Sequence, residues 1–183
     1  MSTATTTDTL VPQGTWAVDT IHSNANFEVE HSGVSFFRGG FKPVDAKLVS
    51  SDDGISLEGG VKVDTITIDD ENIRPHVLSP DFFDAERNPD VTFRSTEITG
   101  AADDLTVRGD LALAGVTLPV TATGRLRGPV DAGTGPKVAL SLEATIDRTA
   151  YGMTWQMEMP SGGPILGNDV KLIVDLEFAL QED

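Results

Sequence analysis

Cysteine is missing from all 183 residues, which removes disulfides, thiol nucleophiles and thiolate metal sites from consideration. Basic residues are scarce: 13 Lys and Arg stand against 29 Asp and Glu, a formal net charge of -16. A surface that negative repels phosphate backbones, so no nucleic-acid partner is expected, and the acidity reads as a source of solubility. No apolar run is long enough to span a bilayer. The opening residues, Met1 to Pro12, have neither the basic start nor the apolar stretch of a secretion signal. The expectation is a flexible tail over residues 1–13, a single domain over 14–183 and a cytoplasmic location. Hydrophobic residues make up 39% of the chain, enough for a real core.

What the chain does have is period-two patterning. Near its end Val170, Leu172, Val174, Leu176, Phe178 and Leu180 share one face, with Asp169, Lys171, Asp175 and Glu177 on the other. Side chains alternate across a strand, so such a run has one wet and one dry side. About eight runs of this kind recur, including Phe27, Val29 and His31; Val44, Ala46 and Leu48; Leu105, Val107, Leu111 and Leu113; and Val138, Leu140 and Leu142. One short helix is predicted around Glu71 to Leu78, with Asp69 and Asp70 as caps, stopped by Ser79-Pro80. Curling the strands into an antiparallel barrel hides every dry face and removes the sheet edges. A barrel of about eight strands is either filled or holds one small ligand.

Motifs for catalysis are wanting. There is no G-x-S-x-G elbow, and Gly59-Gly60 and Gly162-Gly163 lack the Lys-Ser/Thr of a phosphate loop and read as turns or bulges. His22, His31 and His76 could in principle offer three imidazoles to a metal, but their spacing matches no helical ligand pair. Neither a catalytic set nor a cofactor is therefore expected. The longest irregular stretch, Arg148 to Asn168, carries Met153, Trp155, Met157 and Met159 in alternation, a flexible apolar set suited to a mouth or lid, or equally to an ordinary cap.

Several motifs resemble a known family. Trp16-Ala-Val-Asp19-Thr-Ile-His22-Ser23, then Phe27, Val29, His31 and Gly39-Gly40-Phe41, look like the opening of the YceI-like family. Leu78-Ser79-Pro80-Asp81-Phe82-Phe83-Asp84, Asn88-Pro89 and Thr92-Phe93-Arg94-Ser95 are the most specific match, followed by Gly109-Asp110-Leu111, Gly115-Val116-Thr117 and Ile146-Asp147-Arg148. The resemblance covers roughly Gly14 to Leu180. It implies a lipocalin-like barrel of eight antiparallel strands around a long apolar tunnel, and non-catalytic binding, storage or transport of a polyisoprenoid, an isoprenoid quinone or another long lipid. Many relatives are exported, and the lack of a signal peptide departs from them.

On this reading Phe27, Val29, Phe36, Phe37, Phe41, Phe82, Phe83, Phe93, Met153, Trp155, Met157 and Met159 line or gate the tunnel. His31 and His76 are the expected polar contacts, and Arg38 or Arg148 would meet a phosphate. A homodimer joining open mouths would shield such a ligand. Two alternatives come from other classes. One is an enzyme acting on an apolar small molecule through a histidine or metal site. The other is a filled barrel whose loop binds a protein.

Overall fold

The computed structural model describes residues 10–182. Its elements are β1 (Gly14–Val18), β2 (Asn24–His31), β3 (Ser35–Phe41), β4 (Asp45–Ser51), β5 (Gly54–Lys62), β6 (Ile66–Thr67), α1 (Arg74–Leu78), β7 (Asp90–Ala101), β8 (Asp104–Leu113), β9 (Val116–Asp131), β10 (Pro136–Asp147) and β11 (Leu166–Leu180). The strands join in the order β1-β4-β5-β7-β8-β9-β10-β11, and β11 pairs back to β1, closing an eight-stranded antiparallel barrel. Of the expected tail, residues 1–9 lie outside the described ones. Val11 is fully buried in the base of the barrel, and its carbonyl accepts from Ser50 Oγ at 2.9 Å.

Two wall strands are each made of two pieces. β1 and β2 run in line along the same edge of β11, which pairs with β1 through Phe178 and with β2 from Asp175. The break between them falls at Asp19–Ser23, where Asp19 N donates to Glu177 O at 2.7 Å and Glu177 N donates to the buried Ser23 Oγ at 3.0 Å. The neighbouring edge repeats the pattern: β3 pairs with β2, and β4 pairs with β1. The break there is Lys42–Pro43, at a proline that cannot donate to a ladder.

The second break shapes the open end. Below it, β5 bridges β4 and β7; above it, β3 has only the two residues of β6 on its free edge. A short 3-10 turn over Val63–Thr65 leads the chain out of β5, where the sequence changes phase. The segment from α1 to Asn88 covers the gap, with Val77 and Phe83 packed against Phe41 and Ile66. α1 is shorter than expected and begins at Arg74. Pro75 sits in its first turn, where a missing N–H removes no helical bond.

Inward faces differ between the two ends. At the base, Trp16, Leu48, Leu105, Leu140, Val138 and Phe178 are 2% exposed or less and fill the barrel solidly. Towards the open end the inward residues of β7, β9, β10 and β11, such as Phe93, Ala122, Ala144 and Leu172, are only half-buried although they lie inside. They face a lumen. No helix among the described residues is long and apolar enough to cross a membrane.

Candidate functional site

The lumen is an apolar tunnel of about 440 Å³. Its walls come from every side of the barrel. Phe27 and Val29 face in from β2, and Phe37 and Phe41 from β3. Val91 and Phe93 belong to β7, Leu111 and Leu113 to β8, Ala144 and Ile146 to β10, and Val170, Leu172 and Val174 to β11. The segment over the gap adds Ile73, His76, Val77, Phe82 and Phe83. Met153 and Trp155 come from the long loop. The floor lies at Leu57, Val107, Leu142 and Leu176, above the filled base.

Glycines keep this space clear. Phe27 pairs in register with Gly39, and a Cβ there would come within 2.6 Å of the Phe27 ring. A Cβ on Gly109 would meet the Phe93 ring in the same way. Each ring therefore folds back over a glycine on the next strand instead of projecting across the lumen. Gly59, expected in a turn or bulge, lies within β5, where a Cβ would meet Asp45 O at 2.6 Å. Gly162 and Gly163 do form a turn, both with positive φ.

Polar groups collect at the open end. The rings of His76, Phe82 and Trp155 form a cluster: His76 lies 4.9 Å from Trp155 and 5.1 Å from Phe82, both edge to face, and Phe82 lies 5.6 Å from Trp155. This cluster joins the gap-covering segment to the long loop. His76 Nε2 is 2.9 Å from Asp81 Oδ2.

Arg148 follows β10 and is 3% exposed. Its Nε donates to Gly167 O (2.7 Å), Nη1 to Met153 O (2.6 Å) and Trp155 O (2.9 Å), and Nη2 to Asn168 Oδ1 (3.3 Å). These acceptors are neutral, so burial pushes the guanidinium below its ordinary pKa, while Asp147 acts in the opposite sense. Most of the fork is spent holding the loop, which makes Arg148 its clasp before it is a ligand contact. Gln156 adds a second fastening, donating to Leu166 O at 2.7 Å and accepting from Leu166 N at 3.0 Å.

Twelve of the residues singled out in the sequence therefore meet around one tunnel: Phe27, Val29, His31, Phe37, Phe41, His76, Phe82, Phe83, Phe93, Arg148, Met153 and Trp155. Four do not. Phe36 and Arg38 stand on the outer face of β3, opposite Glu30 and Glu28; Phe36 is 53% exposed, and Arg38 Nε binds Glu28 Oε1 at 3.2 Å. Alternation is the reason, since Phe37 and Phe41 already occupy the inward parity. Met157 and Met159 share the parity of Met153 and Trp155, but the chain turns there into a small hairpin in which Ile165 N donates to Met157 O and Met159 N to Gly163 O. That hairpin carries them off the wall, and Met157 is 51% exposed.

The histidines do not converge. His22 binds Asp19 at 2.9 Å, His31 Nδ1 lies 3.2 Å from Ser32 Oγ, and His76 binds Asp81. Among the described residues one group has ligand atoms close enough together for a metal: Asp19, His22 and Glu177. The Lys137 ammonium already sits against it, 2.8 Å from Glu177 and 3.8 Å from Asp19, so the group is a satisfied ion-pair network at the β1–β2 break. The wall residues that sequence reading passed over are the aliphatic ones of β8, β10 and β11. Their alternation was visible; what singled out the phenylalanines and methionines was only their size and softness.

A family model for the YceI-like domain matches residues 16–178. The protein YceI of Escherichia coli is 34% identical over 165 residues, covering 88% of this chain and 83% of its own. A UPF0312 protein of Staphylococcus epidermidis is 31% identical over 168 residues, covering 88% of this chain and 95% of its own. Among solved structures, Burkholderia cenocepacia BcnA superposes with a TM-score of 0.72 at 21% identity, over 87% of this chain and 98% of that one. A polyisoprenoid binding domain from Saccharophagus degradans superposes with a TM-score of 0.70 at 10% identity, over 91% of this chain and 98% of that one. At those identities the superpositions speak to the fold alone.

Proposed function

The chain belongs to the YceI-like domain family, and from that membership we propose that its tunnel holds the apolar tail of a long lipid, a polyisoprenoid or an isoprenoid quinone, without making or breaking bonds. The observation that carries this reading is the tunnel itself: about 440 Å³, walled mostly by aliphatic and aromatic residues and closed at the base. A cavity so apolar favours a ligand with nothing to hydrogen-bond. The Saccharophagus degradans domain, named for polyisoprenoid binding, supports the ligand class.

Burial drives such binding. At about 0.8 kcal/mol per CH₂, ten buried groups supply roughly 8 kcal/mol before the costs of ordering. The head group stays near the mouth, where His31, His76 and Arg148 offer polar contacts. The role that follows is storage or carriage.

The test is native mass spectrometry of the purified protein, then solvent extraction and titration of the stripped protein with an isoprenoid quinone. One lipid mass per chain, or saturable uptake at one per chain, is the expected result. Phe93→Asp, which sets a charge in the tunnel wall, should abolish uptake while the far-UV spectrum stays that of a β-barrel. A folded Phe93→Asp protein that binds as the parent does would sink the reading.

A further inference from the structure

The tunnel stops halfway down the barrel. Resting on the lipid-binding reading above, we infer that this protein selects tails by length and encloses about 15–20 carbons, three to four isoprene units, with longer tails left protruding from the mouth.

The depth of the tunnel gives that length. Along β10 the wall runs from Leu142 at the floor to Arg148 at the mouth. At about 3.3 Å per residue this stretch is roughly 20 Å long, and about 15 Å along the axis for strands tilted by ~40°. With C–C bonds near ~1.5 Å, an extended isoprene unit advances about 5 Å, so three to four units fit.

What fixes the limit is the plug. Leu140 on β10 and Leu48 on β4 lie one inward step below the floor residues Leu142 and Ala46, and both are 2% exposed or less. Leu140 also faces Leu176 across the sheet, so floor and plug meet at that pair. Trp16 closes the base behind them, fully buried, with its indole N–H donated to Pro12 O at 3.1 Å. A tail cannot pass without displacing close-packed side chains. Just above the floor the wall is made of small residues, Ala122 and Ala144 among them, where added bulk would raise the floor.

The experiment is a length series of all-trans prenols of 10, 15, 20 and 40 carbons, titrated at one detergent concentration and followed by the fluorescence of Trp155 at the mouth. Affinity should rise at least tenfold with each added unit up to 20 carbons, then change less than threefold up to 40. Ala144→Phe should bring the plateau down to about 10 carbons, and Leu140→Ala should raise affinity for the 40-carbon prenol at least threefold over that for the 20-carbon one. An affinity that climbs a further tenfold from 20 to 40 carbons in the parent overturns the length limit and leaves lipid binding standing. So does a plateau that neither variant moves. A protein that binds no prenol of any length overturns both readings.

Discussion

At the scale of single residues, two side chains at the β1–β2 break do work that no other element can. Ser23 is buried, and its hydroxyl is the acceptor for Glu177 N, an amide that neither β1 nor β2 reaches. Ser23→Ala strands that amide away from water, at a cost of about 1–3 kcal/mol. Urea unfolding should show the midpoint falling with an unchanged slope. Asp19 at the same break accepts from the His22 ring, chiefly, and from the His22 and Ile21 amides, which lowers its carboxyl from 3.8 to about 2. A carboxyl depressed in the fold stabilises it above its unfolded value. That contribution is complete above about pH 4 and is lost as the pH falls through about 2. Carbon NMR should find Asp19 titrating near 2 in the parent and closer to 3.8 in His22→Ala. An Asp19 carboxyl that titrates normally in both proteins would remove this role. These residues also show how far sequence reading goes. Ser23 and His22 are neighbours in the chain, and only the fold turns the hydroxyl inward and the imidazole outward.

At the scale of elements, the loop after β10 is held chiefly by one side chain. Arg148 reaches three backbone carbonyls and Asn168, so it ties both ends of the stretch 153–167 to the end of β10. Arg148→Lys keeps the charge but loses the planar fork, and four acceptors spread around it cannot share the three N–H groups of one ammonium. The loop should loosen by about 2 kcal/mol. Hydrogen exchange should quicken at Met153, Trp155 and Leu166 while β8 and β9 keep their protection. Equal quickening throughout the barrel would contradict a local clasp. The phasing of β3 was within reach of the sequence: once Phe41 faces inward, parity places Phe37 inside and Phe36 outside. The loop was not, because Met153 and Met159 share a parity that means nothing once the chain leaves the sheet for the hairpin over 157–165.

At the scale of the whole molecule, the chain carries a net charge of -16, and among the described charged residues only Arg148 is buried. Cross-strand pairs such as Lys47–Glu58, Arg94–Glu58 and Arg108–Glu97 use much of the scarce positive charge, and the acidic excess repels itself. Screening shortens that repulsion, with a Debye length near ~10 Å at 0.1 M salt and ~3 Å at 1 M. Thermal unfolding should therefore move up by a few degrees, roughly 2–5 °C, between low salt and 0.5 M sodium chloride. A midpoint that falls with salt would show that the ion pairs outweigh the repulsion. Uptake of an uncharged prenol should be nearly indifferent to the same salt, because its binding is burial and not charge.

The chain's own pattern determined that there would be a barrel. Period-two alternation is local, each strand carries it whole, and eight one-sided strands leave closure as the way to hide every face. The spaced motifs from Trp16 to Arg148 determined the family in the same direct way. Only the tertiary structure decided that the barrel is plugged below and hollow above. Leu140 and Leu142 alternate identically with their neighbours, yet one is packed into the base and the other bounds the lumen. The difference lies in what eight strands bring to each level: Trp16, Phe178 and Leu48 converge at the base, while Ala144, Ala122 and glycine-backed phenylalanines meet above. Volume at a given height is a sum over residues far apart in sequence, and no single strand contains it.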